Sequence, residues 1–403
     1  MQQTRISYFV KKTYLLVREL RRGMAIALCL LLCVGCRPGK GNGQGPKANV
    51  AEILSDSARI ELRYAKNFSV HYLPDGVRLV DIHVAGHQAQ HTYHLALVPR
   101  GVRPSDIPKN YVQRVEVPIQ HCIPTGTEQL AAFIQLHALD QVKAISSVRH
   151  LQDKEVKRLI SKGKIARIGY EGNFDTEVAM AVRPDVILAS PFKRGGYEAL
   201  QQVGAPIIPY TAFKEPTALG QAEWMKLVGM LTGKEQQANA FFKRVEQQYE
   251  TYKQLASKTQ NRPTIFSGEQ KSGQWFVLGG KSYLAQLLRD AGATYLPKDD
   301  QHTGGYPSDF ETMYAMAAKA DYWRVMNSFP GKFSYQALKA EDARNDKFLA
   351  FQKRHVIYCN IATSGYHEIA PLRPDWLLAD FIKALHPELL PKYKPHFYKT
   401  LTH

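Results

Sequence analysis

TGKEQQANAFFKRVEQQYETYKQLAS, residues Thr232–Ser257, is the stretch that decides the fold. Apolar side chains recur in it at steps of three and four residues, which predicts one apolar stripe along a continuous helix. Thr232 and Glu235 match a capping box, so we expect the helix to begin there. About 24 residues at ~1.5 Å each make a rod of roughly 36 Å, long enough to join two lobes. The alternative is a surface helix of one large domain, and the likeness of the two flanking halves decides between them.

Length and composition are those of a globular chain. The 403 residues are 44% hydrophobic and 22% charged, which leaves room for two domains that each bury a core. The formal net charge of +17 favours anionic partners or membrane surfaces. The sequence has no zinc-finger, helix-turn-helix or RNA-binding pattern, so we do not expect it to bind nucleic acid.

The N-terminus reads as a targeting segment. An apolar run over residues 24–32 follows Arg21-Arg22 and is too short for a permanent membrane span. The run ends in Val34-Gly35-Cys36 and a Gly-rich stretch, which resembles a bacterial lipoprotein signal. This resemblance predicts lipidation of Cys36 and a lipid-anchored protein of the cell envelope, periplasmic or associated with the outer membrane.

Two cysteines remain outside the leader, Cys122 and Cys359, one on each side of the long helix. A disulfide is permitted in an exported protein. Two lone cysteines far apart in sequence are more often small buried hydrophobic residues. The sequence leaves both interpretations open.

The region before the first lobe is rich in β-strand signals. Alternating segments predict three strands, over residues 68–72, 77–84 and 92–98. Four histidines in this region invite a metal-binding interpretation: His83, His87, His91 and His94. Alternate strand residues face opposite sides of a sheet, so odd and even positions split this set. We therefore expect a decorated edge hairpin and no metal site.

Short apolar strands alternate with helices on both sides of the long helix, which predicts an α/β fold with parallel sheets. The segment from Glu177 to Asp185 before one strand is similar to the segment from Glu311 to Asp321 before another. We therefore predict two Rossmann-like lobes joined by one long α-helix, with an extra N-terminal β-hairpin region. The predicted boundaries are a signal at 1–36, a tether at 37–59, a β-rich extension at 60–110, an N-terminal α/β lobe at 111–231, the connecting helix at 232–258 and a C-terminal α/β lobe at 259–403.

Several short motifs occur in a telling order over about 280 residues. They are Thr127-Glu128-Gln129-Leu130, Ala138-Leu139-Asp140, Arg183-Pro184-Asp185-Val186-Ile187, Leu231-Thr232-Gly233, Leu287-Leu288-Arg289-Asp290-Ala291-Gly292 and Pro374-Asp375-Trp376. Together they resemble the class III substrate-binding proteins of ABC importers, which carry iron–siderophores, haem or cobalamin. The resemblance implies a non-catalytic monomer that holds a ferric chelate, haem or corrinoid in an interlobe cleft, with no tightly bound cofactor, and delivers it to an ABC permease.

Ligands of open α/β sheets bind beyond the carboxyl ends of the strands. We therefore predict a ligand-binding set at those ends: Thr125, His150, Tyr170, Asn173, Phe192, Lys193, Arg194, Tyr210, Gln270, Tyr306, Asn327, Asn360, Tyr366 and Arg373. Aromatic rings and amides suit a flat conjugated ligand, and Lys193, Arg194 and Arg373 suit its carboxylates. Haem would need an axial side chain, for which the candidates are Tyr170, Tyr210, Tyr306 and His150.

Proteins of the resembled family dock on the permease through an acidic residue on each lobe. Glu311 matches the motif of the second lobe. Glu198 is the nearest acid in the first lobe, a few positions later than the motif requires. Because of this departure, the sequence also allows an alternative function, an envelope scavenger of haem or iron that works without a permease.

An enzyme is the alternative from another class. The same two-lobed architecture resembles tetrapyrrole chelatases, in which a histidine and an acid remove pyrrole protons as the metal enters. His150 with Glu171 or Glu368 would fill those roles. A metal-insertion assay separates this alternative from simple binding.

Overall fold

The computed structural model describes residues 58–85, 90–104, 106–146, 148, 150–190, 197–271 and 273–402. The predicted lipidation site Cys36, the signal, most of the tether and His87 lie outside these ranges. In the described part of the chain, no helix has both the length and the apolar character needed to cross a membrane.

The N-terminal sheet has four strands in the order β1-β2-β3-β4. They are β1 Phe68–Tyr72, β2 Arg78–Ala85, β3 Gln90–Pro99 and β4 Gln113–Val117. The first three are antiparallel, whereas β4 runs parallel to β3, so it extends this sheet. His83 and His94 share one face, where His94 Nδ1 lies 2.7 Å from Asp81 Oδ1. His91 pairs with Val84 on the opposite face, so the histidines are divided between two faces, although not by odd and even number as predicted.

Lobe 1 follows the N-terminal sheet. Its elements are β5 Cys122–Pro124, α1 Thr127–Gln135, β6 Ala144–Ile145, α2 Lys154–Ser161, β7 Ala166–Arg167, β8 Gly169–Tyr170, β9 Asn173–Phe174, α3 Thr176–Ala181, β10 Val186–Ala189, α4 Tyr197–Gln201 and β11 Ile207–Pro209. Its parallel sheet has the order β11-β10-β5, and a parallel bridge from Cys122 to Val142 leads to the β6-β7 pair. Buried apolar runs such as Val186–Ala189 form this sheet because both of its faces are covered.

Three helices connect the lobes: α5 Ala218–Glu223, α6 Met225–Thr232 and α7 Glu235–Ser257. The helices α5 and α6 meet at Trp224. The expected capping box is wrong. Thr232 ends α6, where its hydroxyl donates to the Val228 carbonyl oxygen at 2.7 Å, and Gly233 takes a left-handed conformation (φ 68°) that separates α6 from α7.

The connecting helix α7 is continuous over 23 residues. It buries one stripe: Ala238, Phe241, Phe242, Val245, Tyr249 and Ala256. A Cβ on Gly229 would lie 2.7 Å from the Cβ of Ala238, so the glycine lets α6 and α7 pack closely. The helix also packs on lobe 2, and one hydrophobic core runs along it from lobe 1 to lobe 2. The predicted rod thus exists as a packed connection.

Lobe 2 repeats the α/β pattern. Its elements are β12 Thr264–Ser267, β13 Gln270–Lys271, β14 Gln274–Leu278, α8 Tyr283–Asp290, β15 Thr294–Tyr295, β16 Gly305–Ser308, α9 Phe310–Ala317, β17 Tyr322–Asn327, α10 Tyr335–Glu341, α11 Leu349–Gln352, β18 Val356–Asn360, α12 Tyr366–Ile369, α13 Pro374–Leu385 and β19 Lys399–Thr400. The main sheet has the order β15-β12-β17-β18-β19, parallel except for β19, and β13-β14-β16 form a separate antiparallel sheet.

Candidate functional site

The parallel strands of lobe 1 end side by side. Thr125, Ser190 and Tyr210 follow β5, β10 and β11, so their positions form a row at the carboxyl edge of the sheet. The Ser190 hydroxyl donates to the Tyr210 carbonyl oxygen at 3.2 Å and accepts from Gln129 Nε2 at 3.1 Å. Thr125 is 2% exposed, and its carbonyl oxygen accepts a hydrogen bond from Ser146. These buried hydrogen bonds fix the strand ends and the start of α1 relative to one another.

The side chain of Tyr210, the last member of that row, is buried. Its ring meets Trp224 edge-on at 5.0 Å. Burial and the nearby Glu128 carboxylate raise the pKa of its hydroxyl. The predicted axial role therefore does not suit Tyr210, whose ring packs in the core.

The β8–β9 hairpin presents an aromatic ring to solvent. Tyr170 is 59% exposed, and Asn173, its partner in the hairpin, is also exposed. Glu171 at the turn accepts a hydrogen bond from the hydroxyl of Tyr197 at 3.2 Å. Of the predicted lobe 1 residues that the structure describes, Tyr170 and Asn173 are the most exposed, as a ligand contact requires.

The lobes touch directly along one side. Glu368 of lobe 2 accepts from the backbone amide of Gln152 at 2.6 Å, and the Gln152 side-chain amide donates to the Ala362 carbonyl oxygen at 2.7 Å. Burial raises the pKa of Glu368, although the amides it accepts from oppose this rise. His150 lies in the same region, with its ring centroid 5.3 Å from that of His367. His150 thus belongs to the contact between the lobes, together with His367, which the sequence did not single out.

The amides predicted at the ends of lobe 2 strands are engaged in holding loops. Asn327 is 4% exposed, donates to Glu269 Oε2 at 2.8 Å and accepts from the Tyr358 hydroxyl at 2.8 Å. Asn360 donates to the carbonyl oxygen of Phe329 at 2.9 Å. These side chains shape the edge of the cleft through the loops that they fix.

Three further candidates are also occupied by neighbours. The Gln270 side chain accepts from Arg344 at 3.2 Å. Tyr366 is 8% exposed and packs in the core of lobe 2, so it is not an open aromatic surface. The guanidinium of Arg373 is paired with Asp375 at 2.5 Å and covers the Trp376 ring at 3.6 Å. Arg373 stabilises the start of α13 instead of presenting a free charge.

The antiparallel sheet of lobe 2 adds an aromatic residue that the sequence reading missed. Phe276 on β14 is 58% exposed, and its ring covers Gly305, where a Cβ would lie 2.1 Å from it. Trp275 and Val277 beside it are buried, so Phe276 occupies an outward position of an alternating strand. This alternation of buried and outward-facing residues is the sequence signal that could have identified Phe276 as exposed. Tyr306, half-buried on β16, packs against His302 with the ring centroids 4.6 Å apart and the ring planes tilted by 39°.

Three predicted cleft residues, Phe192, Lys193 and Arg194, lie outside the described residues. Of the predicted docking acids, Glu198 on α4 is exposed. The Glu311 side chain is 75% exposed and accepts from Arg344 Nη1 at 2.8 Å. Both carboxylates are accessible to a partner.

Cys122 and Cys359 are both buried and reduced. Burial raises the pKa of each thiol. They therefore fit the interpretation as two small buried hydrophobic residues and not as a disulfide. Among the described residues, no three histidine, cysteine or carboxylate side chains are grouped to hold a metal ion.

Comparisons with known proteins agree with this architecture. A family model described as periplasmic binding protein matches residues 124–362, more than half of the chain. An uncharacterized lipoprotein of Methanocaldococcus jannaschii is 24% identical over 301 residues, which cover 70% of this chain and 69% of that protein.

Solved structures share the fold. A periplasmic binding protein from Veillonella parvula matches with a TM-score of 0.56 and 14% identity, over 76% of this chain and 98% of that one. A periplasmic haem-binding protein from Pseudomonas aeruginosa has a TM-score of 0.55 and 18% identity, over 71% and 100%. A protein of an ABC-type Fe³⁺-hydroxamate transport system from Saccharomonospora viridis has a TM-score of 0.53 and 18% identity, over 67% and 94%.

Proposed function

The chain belongs to the periplasmic binding protein family, and on that premise we propose that it is a lipid-anchored receptor that captures an iron chelate, haem or a corrinoid between its lobes and delivers it to an ABC permease. The family is one of non-catalytic substrate-binding proteins. The chelatase alternative is therefore set aside. In agreement, Glu171 and Glu368 are engaged by the Tyr197 hydroxyl and by backbone amides.

One observation supports a flat conjugated ligand most directly. Each lobe carries an accessible aromatic ring on a hairpin that follows a sheet strand: Tyr170 in lobe 1 and Phe276 in lobe 2. Large exposed rings cost free energy in water and gain it when they stack on a ligand face. The haem-binding neighbour supports the same class of cargo, and the neighbour from an Fe³⁺-hydroxamate transport system supports an iron chelate more generally.

A binding experiment tests the proposal. The full chain is mixed with ferric protoporphyrin, a ferric trihydroxamate or cyanocobalamin, and quenching of tryptophan fluorescence reports binding. We expect micromolar or tighter affinity for at least one of the three and no chemical change in the ligand after prolonged incubation. Absence of affinity for all three would contradict the proposal.

Delivery to a permease is the second part of the proposal, and the accessible Glu198 and Glu311 support it as contacts for basic residues. Replacement of both acids by glutamine is expected to leave ligand affinity unchanged and to weaken co-purification with the permease subunits. If the wild-type chain retains no permease under the same conditions, the envelope-scavenger role takes precedence.

A further inference from the structure

A histidine outside the predicted set has the geometry of a metal ligand. His302 lies on the loop between β15 and β16, which starts at the carboxyl end of a parallel strand, the side where ligands of such sheets bind. Its Nδ1 lies 2.5 Å from Asp300 Oδ1, and its side chain is 65% exposed. An ionised carboxylate can only accept, so Nδ1 carries a proton, and in the neutral imidazole the lone pair is then on Nε2.

The Asp300–His302 pair is held in place by contacts to both of its residues. The second carboxylate oxygen of Asp300 accepts from the Gly280 amide at 2.8 Å. The His302 ring packs on Tyr306 in a tilted arrangement, and the His302 carbonyl oxygen accepts from the Lys281 amide at 3.0 Å. Histidines that bind metals usually donate their other ring N–H to a carboxylate, which fixes the tautomer and the orientation of the ring. The loop thus presents an oriented ring nitrogen to the solvent.

The two neighbouring imidazoles of His150 and His367 suit a planar ligand less well than His302 does. The rings of His150 and His367 are 5.3 Å apart within the direct contact between the lobes, where Gln152 and Glu368 are hydrogen bonded. A macrocycle would have to separate those segments before either ring could reach its metal. His302 needs no such movement, because most of its side chain is already exposed.

We infer that His302 coordinates the metal of the bound chelate through Nε2, with Asp300 as its positioning residue. The inference rests on the proposed function and narrows its ligand class. A protein nitrogen can join only a complex that has an open axial position, such as a metallated tetrapyrrole. A ferric trihydroxamate has all six iron positions filled by its own oxygens and offers none. The expected cargo is therefore a metallotetrapyrrole.

Absorption spectra of the full chain with ferric protoporphyrin test this inference. The wild type is expected to show the Soret and visible bands of an imidazole-ligated iron. His302→Ala should lose those bands and bind about 10- to 100-fold more weakly, and Asp300→Asn should weaken binding about 10-fold. Imidazole added to His302→Gly should restore the ligated spectrum, which a merely structural role for His302 would not produce. His71→Ala, a change of an exposed histidine on β1, is the matched control and should behave as the wild type.

The outcomes separate the inference from the proposed function. Unchanged spectrum and affinity in His302→Ala would overturn the inference while capture of the chelate stands. Binding of the ferric trihydroxamate without binding of ferric protoporphyrin would do the same. If the wild type binds neither these two probes nor cyanocobalamin, the proposed function falls with it.

Discussion

A buried carboxylate helps to hold the segment that leads into the N-terminal sheet, and its loss should be measurable. Glu223 on α5 is fully buried. It accepts from the backbone amides of Tyr64 and Ala65, both at 2.8 Å, and from Lys226 Nζ at 2.8 Å. Its neighbour Glu215 binds the next two amides of the same segment. The segment that leads into the N-terminal sheet is thus fixed to lobe 1 by two carboxylates.

Glu223→Gln keeps the shape of the side chain but removes its charge and turns one acceptor oxygen into a donor. The least costly orientation of the new amide places its NH₂ towards Lys226. The Lys226 ammonium then keeps one hydrogen-bond acceptor, the Glu61 carbonyl oxygen at 2.6 Å. Loss of a charge-assisted hydrogen bond costs ~1.5–3 kcal/mol, and breaking a buried ion pair costs ~3–5 kcal/mol. We expect the free energy of unfolding to fall by about 3 kcal/mol.

Two measurements check this expectation. At a urea slope of ~3 kcal/mol per M, the unfolding midpoint should fall by about 1 M. Hydrogen exchange of the amides of Tyr64 and Ala65 should accelerate more than that of amides in lobe 2. Glu198→Gln, an exposed change of the same chemistry, is the control and should stay within ~0.5 kcal/mol of the wild type. An unchanged midpoint together with unchanged exchange would refute the reasoning.

Three further changes have expected outcomes. Partial desolvation and the nearby Glu269 carboxylate raise the pKa of Glu341 to about 7, although the residue keeps much of its surface exposed. The folded chain therefore holds a proton that the unfolded chain releases from about pH 4.5 upward, and the thermal midpoint of the wild type should fall relative to Glu341→Gln between about pH 5 and pH 8; parallel curves would contradict this. Gly233→Ala should lower stability by ~1–2 kcal/mol, because φ is 68° and the new Cβ would lie 2.7 Å from Pro118 Cγ. Gly163→Ala, at φ 66° with open space around it, measures the loss of stability that comes from the left-handed backbone conformation alone. Equal urea midpoints for the two variants would show that the contact with Pro118 adds no loss of stability. Phe276→Ala should weaken ferric protoporphyrin binding about 5- to 10-fold without a change in the urea midpoint, since the ring is 58% exposed; an unchanged Kd would remove Phe276 from the site.

The fold was predictable wherever local pattern and burial agree. The apolar run Val186–Ala189 is a strand buried on both faces, and Pro374–Leu385 is a helix that starts at its proline. The capping box failed because the true partner of Glu235 is distant in sequence. Its carboxylate pairs with Arg78 on β2 at 2.5 Å, with both side chains less than a tenth exposed. A local rule cannot weigh a contact made 157 residues away.

The site was less predictable than the fold, for a related reason. The strand-end rule located the loops, but a polar residue at such an end can face the ligand or hold its own loop. Asn327 and Asn360 hold their loops. His302 gained its significance from Asp300, and the sequence spacing alone does not show that the carboxylate meets the ring.

The contacts along α7 bear on how the cleft selects its cargo. Near its middle the helix is tied to the N-terminal segment through Glu246, which accepts from the Tyr64 hydroxyl at 2.9 Å. One turn later Tyr249 donates to Asp290 of lobe 2 at 2.7 Å. The buried Glu368 contact joins the lobes a second time. A large hinge motion would have to break one of these connections, and each includes a buried or charge-assisted hydrogen bond. Selection by a nearly fixed gap between the lobes therefore fits this chain better than closure of the lobes around any ligand that enters.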